Sequence, residues 1–148
     1  MELIVGSDEF KSIRKELKRS IDALTIIVDE KKTLMKQKLS ELNRVSLGAA
    51  FEEFCKHYSV HLTDLWPVVK SDSGMSLNDV RNKLVHGEHF GPDQYEALNF
   101  AELHLRWTVE RMVLSVLNWP IDKSRVSPES LQGWIAYKEW KTKQASLS

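Results

Sequence analysis

Arg81, Asn82 and His86 lie within the short segment RNKLVHG, residues 81–87, and their side chains suit chemistry on a phosphate. Arginine keeps its charge and grips a phosphate through two parallel hydrogen bonds, and histidine exchanges protons near neutral pH. Such a pair can cleave RNA without a metal ion. The histidine removes the proton of a 2′-hydroxyl or protonates the leaving 5′-oxygen, and the arginine stabilises the charge of the transition state.

Helical spacing limits how these side chains can act within one chain. Arg81 and His86 are five residues apart, about 140° around a helix, so they do not share a face. Asn82 and His86 are four residues apart and do share one. A second copy related by a two-fold axis would bring two Arg–His sets to one cleft. The spacing therefore favours a site built by two chains.

The same segment also fits a purely structural role. A histidine at a helix C-terminus interacts favourably with the helix dipole, and glycine is the usual residue just beyond the end. Arg81 would then be an ordinary exposed charge, paired with Asp79 or Glu88. From residue types and spacing alone, RNKLVHG indicates either a helix end or a phosphate-cleaving site.

Apolar residues at helical spacing predict the elements that would position this segment. The segment itself follows Ser76, a predicted N-cap, with Asp79 three residues later completing a capping box. The predicted helices cover about 7–45 (one helix, or two broken near residues 29–32), 47–58, 76–86, a long helix that follows Gly91-Pro92 and ends near residue 118, and 128–143. The sequence thus predicts an all-α bundle of about five helices, formed by a single domain over residues 1–148.

The same spacing predicts which side chains form the core. The longest helix is expected to point four apolar residues inward: Leu105, Val109, Met112 and Val116. The short helix before it is expected to bury Leu77, Val80, Leu84 and Val85.

Composition restricts the partners and the compartment. The chain of 148 residues carries 21 basic and 21 acidic residues, so RNA must be held by a local site and not by overall charge. Cys55 is the only cysteine, which excludes a disulfide framework and fits a reducing cytoplasm. No apolar run approaches the roughly 20 residues of a membrane span, and no signal pattern begins the chain. The sequence predicts a cytoplasmic protein that does not enter a membrane.

Neighbouring residues extend the candidate site. Lys83 and His89 lie close to His86 in the sequence and are predicted to meet the RNA backbone or line the same cleft, although each also fits an exposed helix or loop position. His57 and His61 are four residues apart and lack a third metal ligand, so they are predicted to be surface histidines. No metal ion or cofactor is predicted.

With its surroundings, LNDVRNKLVHGEHF (residues 77–90) resembles the signature of the HEPN superfamily. In that signature an Arg, a polar residue that is often Asn, three further residues and a His, often followed by Gly, close a helix. The flanking segments FEEFCKHYSV, TDLWPVV and LNFAELHLRWTVERMVLSVLNW resemble the C-terminal HEPN domain of ApeA-like antiphage defence proteins in order and spacing. The resemblance covers about residues 44–119 and leaves out residues 120–148.

The resemblance implies a helical bundle that forms a homodimer and acts as a metal-independent endoribonuclease in antiphage defence or toxin systems. Arg81 and His86 take the catalytic positions, and Asn82 takes the polar position between them. ApeA-like proteins carry a separate, larger N-terminal domain that is not found here. This chain is therefore expected to be either an excised domain, whose sensor domain or antitoxin or partner chain is missing, or a free-standing relative. Some HEPN domains are not catalytic. The alternative is therefore an interaction or nucleotide-binding module that pairs with a partner protein, with Arg81 as its anion anchor.

Overall fold

The computed structural model describes residues 4–147, which fold into helices joined by loops. These residues form seven α-helices and contain no β-strand, so the all-α prediction is confirmed. The helices are α1 (Ser7–Ala23), α2 (Asp29–Lys38), α3 (Leu47–His57), α4 (Leu77–Val85), α5 (Tyr95–Val116), α6 (Pro128–Leu131) and α7 (Ile135–Ala145). Short 3₁₀ turns occupy Leu39–Glu41, Pro92–Gln94 and Ile121–Lys123.

Two of the five predicted helical segments are each divided into two helices. In the first, the β-branched run Thr25–Val28 disfavours helix, and Val28 has extended backbone with ψ of 151° where α2 begins. In the last, Gly133 and the extended Trp134 separate α6 from α7. The sequence left the first division open, and the structure shows two helices there.

The chain forms two compact units, Met1–Ser46 and Leu47–Ser148. In the first unit α1 and α2 form a hairpin whose open end is closed by Asn43. The Asn43 side chain accepts a hydrogen bond from the Val5 amide and donates one to the Val5 carbonyl, each at 2.9 Å. Ile21 and Leu39 are the buried apolar residues described in this unit. The prediction of one domain over residues 1–148 stays a prediction.

The second unit has its core around α5, which packs against α7. Trp66 lies fully buried in the loop before α4, and its indole nitrogen donates to the Met75 carbonyl at 2.7 Å. The buried apolar cluster consists of Leu65, Trp66, Leu77, Val80, Phe90, Ala97, Phe100, Ala101, Trp107, Val126, Leu131, Ala136, Trp140 and Leu147. This core holds the beginning of α4 in place. Among the described residues, no helix has the length and apolar character that a membrane crossing requires.

The predicted inward face of α5 is wrong. Leu105, Val109 and Val116 are 45%, 50% and 48% exposed, and Met112 is half-buried. The inward face carries His104, Thr108 and Arg111 together with apolar residues, because His104 and Arg111 find hydrogen-bond partners inside the fold. Leu105 follows His104 and therefore lies about 100° away from it around the helix.

A related correction concerns α4. Its Leu77 and Val80 are buried as predicted, but Leu84 and Val85 are exposed. The first turns of α4 rest on the core, whereas the last turn lies at the surface. The apolar residues of that last turn therefore contribute to the same exposed region as the outer face of α5.

Candidate functional site

The predicted capping box fixes the beginning of α4. The Ser76 hydroxyl accepts from the Asp79 amide at 3.2 Å, and the Ser76 amide donates to the Asp79 carboxylate at 2.9 Å. The Ser76 hydroxyl also donates to that carboxylate at 2.6 Å. These contacts satisfy amides that a helix start leaves without intrahelical partners, and Ser76 itself is fully buried. The helix that carries the motif therefore has a well-defined start.

The end of α4 is a Schellman motif around Gly87. The Glu88 amide donates to the Lys83 carbonyl at 3.0 Å, and the Gly87 amide donates to the Leu84 carbonyl at 3.2 Å. Gly87 has a φ of +76°, a conformation that glycine adopts without steric cost. His86 is the last residue before it, and its amide donates to the Asn82 carbonyl at 3.0 Å. The segment RNKLVHG thus closes a helix, which leaves the His86 imidazole at an exposed helix end.

Arg81 is held by its neighbour in the sequence. Its Nη1 donates to Asn82 Oδ1 at 2.9 Å, which uses one of the five donors of the guanidinium. Arg81 is exposed and Asn82 is half-buried. Asn82 therefore restricts the Arg81 side chain while leaving most of its donors open to a ligand.

The two further residues of the predicted site lie at the same end of α4. Lys83 is half-buried, with Nζ 5.6 Å from the centre of the Phe90 ring and 4.0 Å from the Glu88 carboxylate. His89 is exposed in the loop that follows. Within residues 4–147, no hydrogen bond joins Arg81 to His86. One chain presents the predicted residues on one short helix and the loop that follows it, and it does not bring Arg81 and His86 together as a pair.

A groove of about 490 Å³ runs between α4 and α5, with Arg81 at its edge. The other polar groups along it are Asn99 and Glu102. Its walls are otherwise apolar: Leu77, Val80, Leu84, Val85, Leu98, Ala101 and Leu105. An apolar groove therefore lies directly beside the charged residue of the motif.

The groove continues into an apolar row along α5, which we call the α5 seam: Leu98, Leu105, Val109, Met112 and Val116. With Glu102 included, these positions alternate by four and three residues, the repeat of helices that pack along one another. The seam residues are exposed or half-buried. The stripe that the sequence predicted as core is thus a surface of the chain.

A buried polar network on the other side of α5 was not singled out from the sequence. Arg111 donates to both Asp64 carboxylate oxygens at 2.6 and 2.8 Å, and its Nε donates to the Val126 carbonyl at 2.7 Å. The Tyr137 hydroxyl donates to the same carboxylate at 2.7 Å. Burial raises the pKa of Asp64, but the hydrogen bonds from Arg111 and Tyr137 and the charge of Arg111 together outweigh it, so the pKa is lowered. Burial and the bond to Asp64 raise the pKa of Tyr137 to about 12.

His104 joins three parts of the second unit. Its Nδ1 accepts from the Trp66 amide at 3.0 Å, and its Nε2 lies 3.0 Å from the Ala136 carbonyl. Since a carbonyl only accepts, Nε2 carries the proton and the ring is neutral. Burial lowers the pKa of His104 to about 4. The network and this histidine stabilise the fold that carries the site, and both lie on the inward face of α5.

The sequence signal for these inward residues was present but ambiguous. His104, Thr108 and Arg111 repeat at four and three residues on a helix that is otherwise largely apolar. Such a polar row is typical of a solvent-facing helix surface, and here it faces the core. Asp64, which binds Arg111, and Tyr137, which binds Asp64, are remote from the row in sequence. The pattern alone therefore did not show that the row faces the core.

Arg81 and His86 of one chain can bind and process a phosphate only if further side chains come close to them. Arg81 offers an oriented guanidinium beside an apolar groove, and His86 offers an exposed imidazole at the end of the same helix. Within the described part of the chain, no group of three or more His, Cys, Asp or Glu side chains could hold a metal ion. No protein-family model, curated protein or solved structure matches this chain.

Proposed function

We propose that this chain is a HEPN-type, metal-independent endoribonuclease that acts as a homodimer, with Arg81 and His86 of both copies lining one site. The observation that carries this proposal is the α5 seam beside Arg81. A row of exposed and half-buried apolar side chains, interrupted by Glu102 alone, is typical of an interaction surface. Its position next to the motif supports an interface that also forms the active site.

A second copy is the partner that the seam fits best. The three–four repeat along a helix of 22 residues suits packing against an identical helix around a two-fold axis. Leu84 and Val85, exposed on the last turn of α4, would be covered by the same contact. An isologous interface at the groove brings Arg81 and His86 of one copy towards the partner's Arg81 and the partner's His86.

The chemistry of the proposed site follows from its residue types. One neutral His86 accepts the proton of a ribose 2′-hydroxyl, and the 2′-oxygen attacks the adjacent phosphorus. The bond from phosphorus to the 5′-oxygen breaks, and the partner's His86, in its protonated form, protonates that oxygen. The products are a 2′,3′-cyclic phosphate and a 5′-hydroxyl. Arg81, held by Asn82, stabilises the extra negative charge on the phosphate oxygens during the attack.

Lys83 and His89 complete the proposed site as contacts to the RNA backbone, because both lie at the same end of α4. Equal numbers of basic and acidic residues in the chain mean that RNA is held by this local site. The resemblance to HEPN proteins makes antiphage defence or a toxin system, in the cytoplasm, the expected setting. A sensor domain or antitoxin chain remains the expected partner there.

The rival proposal is a non-catalytic module that binds a partner protein. It is favoured by the same groove of about 490 Å³, whose apolar walls suit a helix of another protein, with Arg81 anchoring an anionic group. In that case the exposed His86 serves only as the helix end described above.

One experiment separates the two proposals. The substrate is a DNA strand with a single ribonucleotide, incubated with the wild-type chain in EDTA alongside an all-RNA strand and an all-DNA strand. The nuclease cuts the RNA and cuts the chimera 3′ to its ribose, leaving a cyclic 2′,3′-phosphate, and it leaves DNA intact. Cleavage of the all-DNA strand, or a linear 3′-phosphate formed without a cyclic intermediate, would contradict the mechanism. No cleavage of any strand supports the binding module.

A further inference from the structure

Helix α1 carries its basic side chains along one side, and we call this row the basic stripe. It consists of Lys11, Arg14, Lys15, Lys18 and Arg19, of which the first, third and last are exposed and the other two are half-buried. At about 100° and 1.5 Å per residue, the five positions fall within a sector of about 140° and extend about 12 Å along the helix. No apolar residue of α1 lies within that sector.

Most charges of the basic stripe are not neutralised by acidic neighbours. Lys11 binds Asp8 at 2.8 Å, but this pair is largely exposed and contributes little. Asp22 lies in the same sector at the end of α1, and its carboxylate is bound by Lys36 of α2. Within residues 4–147, the other four members of the stripe form no ion pair and no side-chain hydrogen bond. The stripe therefore presents four uncompensated positive charges.

The charge of the chain is divided unequally between its two units. Met1–Ser46 contains 10 basic and 8 acidic residues, and the basic stripe contributes five of the basic ones. Residues 47–148 contain 11 basic and 13 acidic residues. The neutrality of the whole chain thus conceals a basic first unit. A row of basic residues along one helix is typical of a surface that binds nucleic acid.

We propose that the basic stripe binds the phosphate backbone of a nucleic acid strand, independently of its base sequence. The guanidinium groups of Arg14 and Arg19 hold phosphate oxygens through paired hydrogen bonds, and Lys15 and Lys18 supply compact charges. Each contact releases counterions from the strand, so the affinity depends strongly on salt. The inference goes beyond the proposed nuclease and does not rest on it, because the stripe belongs to the first unit and RNKLVHG to the second.

The other faces of α1 favour a nucleic acid over an anionic lipid surface. A helix that lies on a membrane buries its apolar face in the lipid. The apolar face of α1, centred near Leu17, lies about 130° from the centre of the basic stripe. Glu9 and Glu16 border the opposite edge of that apolar face, where anionic head groups would repel them. A strand of phosphates contacts the stripe alone and avoids this repulsion.

The composition of the basic stripe also favours a nucleic acid over a protein partner. The centre of a protein–protein interface is apolar or aromatic, and such interfaces are depleted in lysine. The stripe contains three lysines and no apolar residue. A phosphate backbone requires only positive charge and hydrogen-bond donors, and the stripe supplies both.

Binding of a DNA strand tests the proposal without cleavage, because DNA lacks the 2′-hydroxyl that the proposed nuclease requires. The full chain is titrated against fluorescent single-stranded DNA of mixed sequence at about 50 to 200 mM salt, and anisotropy gives the Kd. Lys15→Gln with Arg19→Gln removes two exposed charges and keeps good helix formers. We expect the Kd to rise roughly tenfold at low salt. The slope of log affinity against log salt should fall in magnitude by about 1.4, which is about 0.7 for each lost phosphate contact.

The matched control is Lys123→Gln with Lys138→Gln, since both lysines are exposed in the second unit and form no ion pair within residues 4–147. It should leave the Kd and the salt slope close to those of the wild type, and circular dichroism verifies that each variant is helical. A wild type that does not bind the strand at about 50 mM salt overturns the proposal, as does a stripe variant that binds like the control. Binding to phosphatidylglycerol vesicles without any binding of the strand would assign the stripe to lipid and would equally overturn it.

Discussion

Asn82 orients Arg81 through a hydrogen bond of 2.9 Å between the amide oxygen and the guanidinium. The two residues are neighbours in the sequence, so this contact is local to α4 and needs no partner chain. Because a positioned guanidinium stabilises a transition state better than a mobile one, Asn82 contributes to the proposed reaction through Arg81.

Replacement of Asn82 tests this positioning role. Asn82→Ala is expected to lower kcat for RNA cleavage roughly tenfold, with little change in KM, since one hydrogen bond of about 1.4 kcal/mol is lost in the transition state. Asn82→Asp keeps an acceptor for Arg81 and is expected to retain more activity than Asn82→Ala. Single-turnover kinetics with circular dichroism of each variant provides the measurement. Equal kcat for Asn82→Ala and the wild type would mean that the hydrogen bond has no part in catalysis.

The α5 seam gives a prediction about assembly. Val109 is half exposed in the single chain, so Val109→Asp is expected to change the unfolding free energy of the monomer by only about 0.5 kcal/mol. Burying the new carboxylate in a dimer interface is unfavourable, so the dimer Kd should rise at least tenfold. Analytical ultracentrifugation of the wild type should give twice the 17.1 kDa mass of the chain.

The matched control for this experiment is Ile135→Asp, a similar change at an exposed apolar position of α7 outside the seam. It should leave the Kd unchanged. A wild type that stays monomeric at high micromolar concentration would remove the basis for a shared active site. So would a Val109→Asp variant that associates as tightly as the wild type.

The local features of α4 were predictable because they depend on residues a few positions apart. Ser76 and Asp79 form the expected capping box, and Gly87 ends the helix in the conformation that favours glycine. The orientation of α5 was not predictable in the same way. Much of the helix surface is apolar, so periodicity alone did not distinguish the seam from the core face. The deciding contacts join residues far apart in sequence, such as Arg111 and Asp64.

The limits of sequence-based prediction are the same for the candidate site. Arg81, Asn82 and His86 could be chosen from residue types, since their spacing on one helix follows from the sequence. The exposure of Leu84, Val85 and the α5 seam could not be predicted from the sequence, because it depends on which elements cover α4 and α5. That exposed surface is the observation that supports the proposal of a second copy of the chain beside RNKLVHG.

Breaking the Arg111–Asp64 pair should destabilise the second unit. Arg111→Met leaves the Asp64 carboxylate without its charged partner, and breaking such a buried pair costs about 3–5 kcal/mol. Arg106→Met is the matched control, since Arg106 makes an exposed ion pair with Glu102 on the same helix and should cost below about 1 kcal/mol. Urea unfolding followed by tryptophan fluorescence measures both. Similar losses in the two variants would contradict the structural role of the buried pair.

The lowered pKa of His104 predicts that the folded chain loses stability in mild acid. Its pKa is about 4 in the folded chain and 6.5 when unperturbed, so the unfolded chain binds more protons between these values. The unfolding free energy should therefore fall as the pH is lowered from about 6.5 to 4. Protonation of Asp64, whose folded pKa is lowered, removes further stability below its unperturbed value of 3.8.

Nuclear magnetic resonance titration of the His104 ring gives the direct measurement for this prediction, and urea unfolding at each pH gives the thermodynamic one. His57→Ala, at an exposed position of α3, should leave the pH dependence unchanged. His104→Gln should flatten it in this window. A His104 ring that titrates near 6.5 in the folded chain would exclude the predicted effect.

The decisive prediction concerns His86. If its imidazole transfers a proton during cleavage, His86→Ala should lower kcat by roughly 10²–10⁴-fold. Arg81→Ala should lower it comparably by removing transition-state charge stabilisation, and Arg81→Lys should restore only part, because lysine lacks the two-pronged hydrogen bonding of arginine. His89→Ala should chiefly weaken RNA binding, and His57→Ala should leave the rate unchanged.

Helix stability must be separated from catalysis in this test, because His86 is also the C-cap of α4. His86→Asn keeps a polar residue at the helix end while removing the imidazole, so it should fold like the wild type and still lose the activity. Circular dichroism and the dimer mass of each variant verify the fold before rates are compared. If folded His86→Asn and His86→Ala cleave the same RNA at the wild-type rate, His86 only ends the helix and the nuclease proposal is wrong.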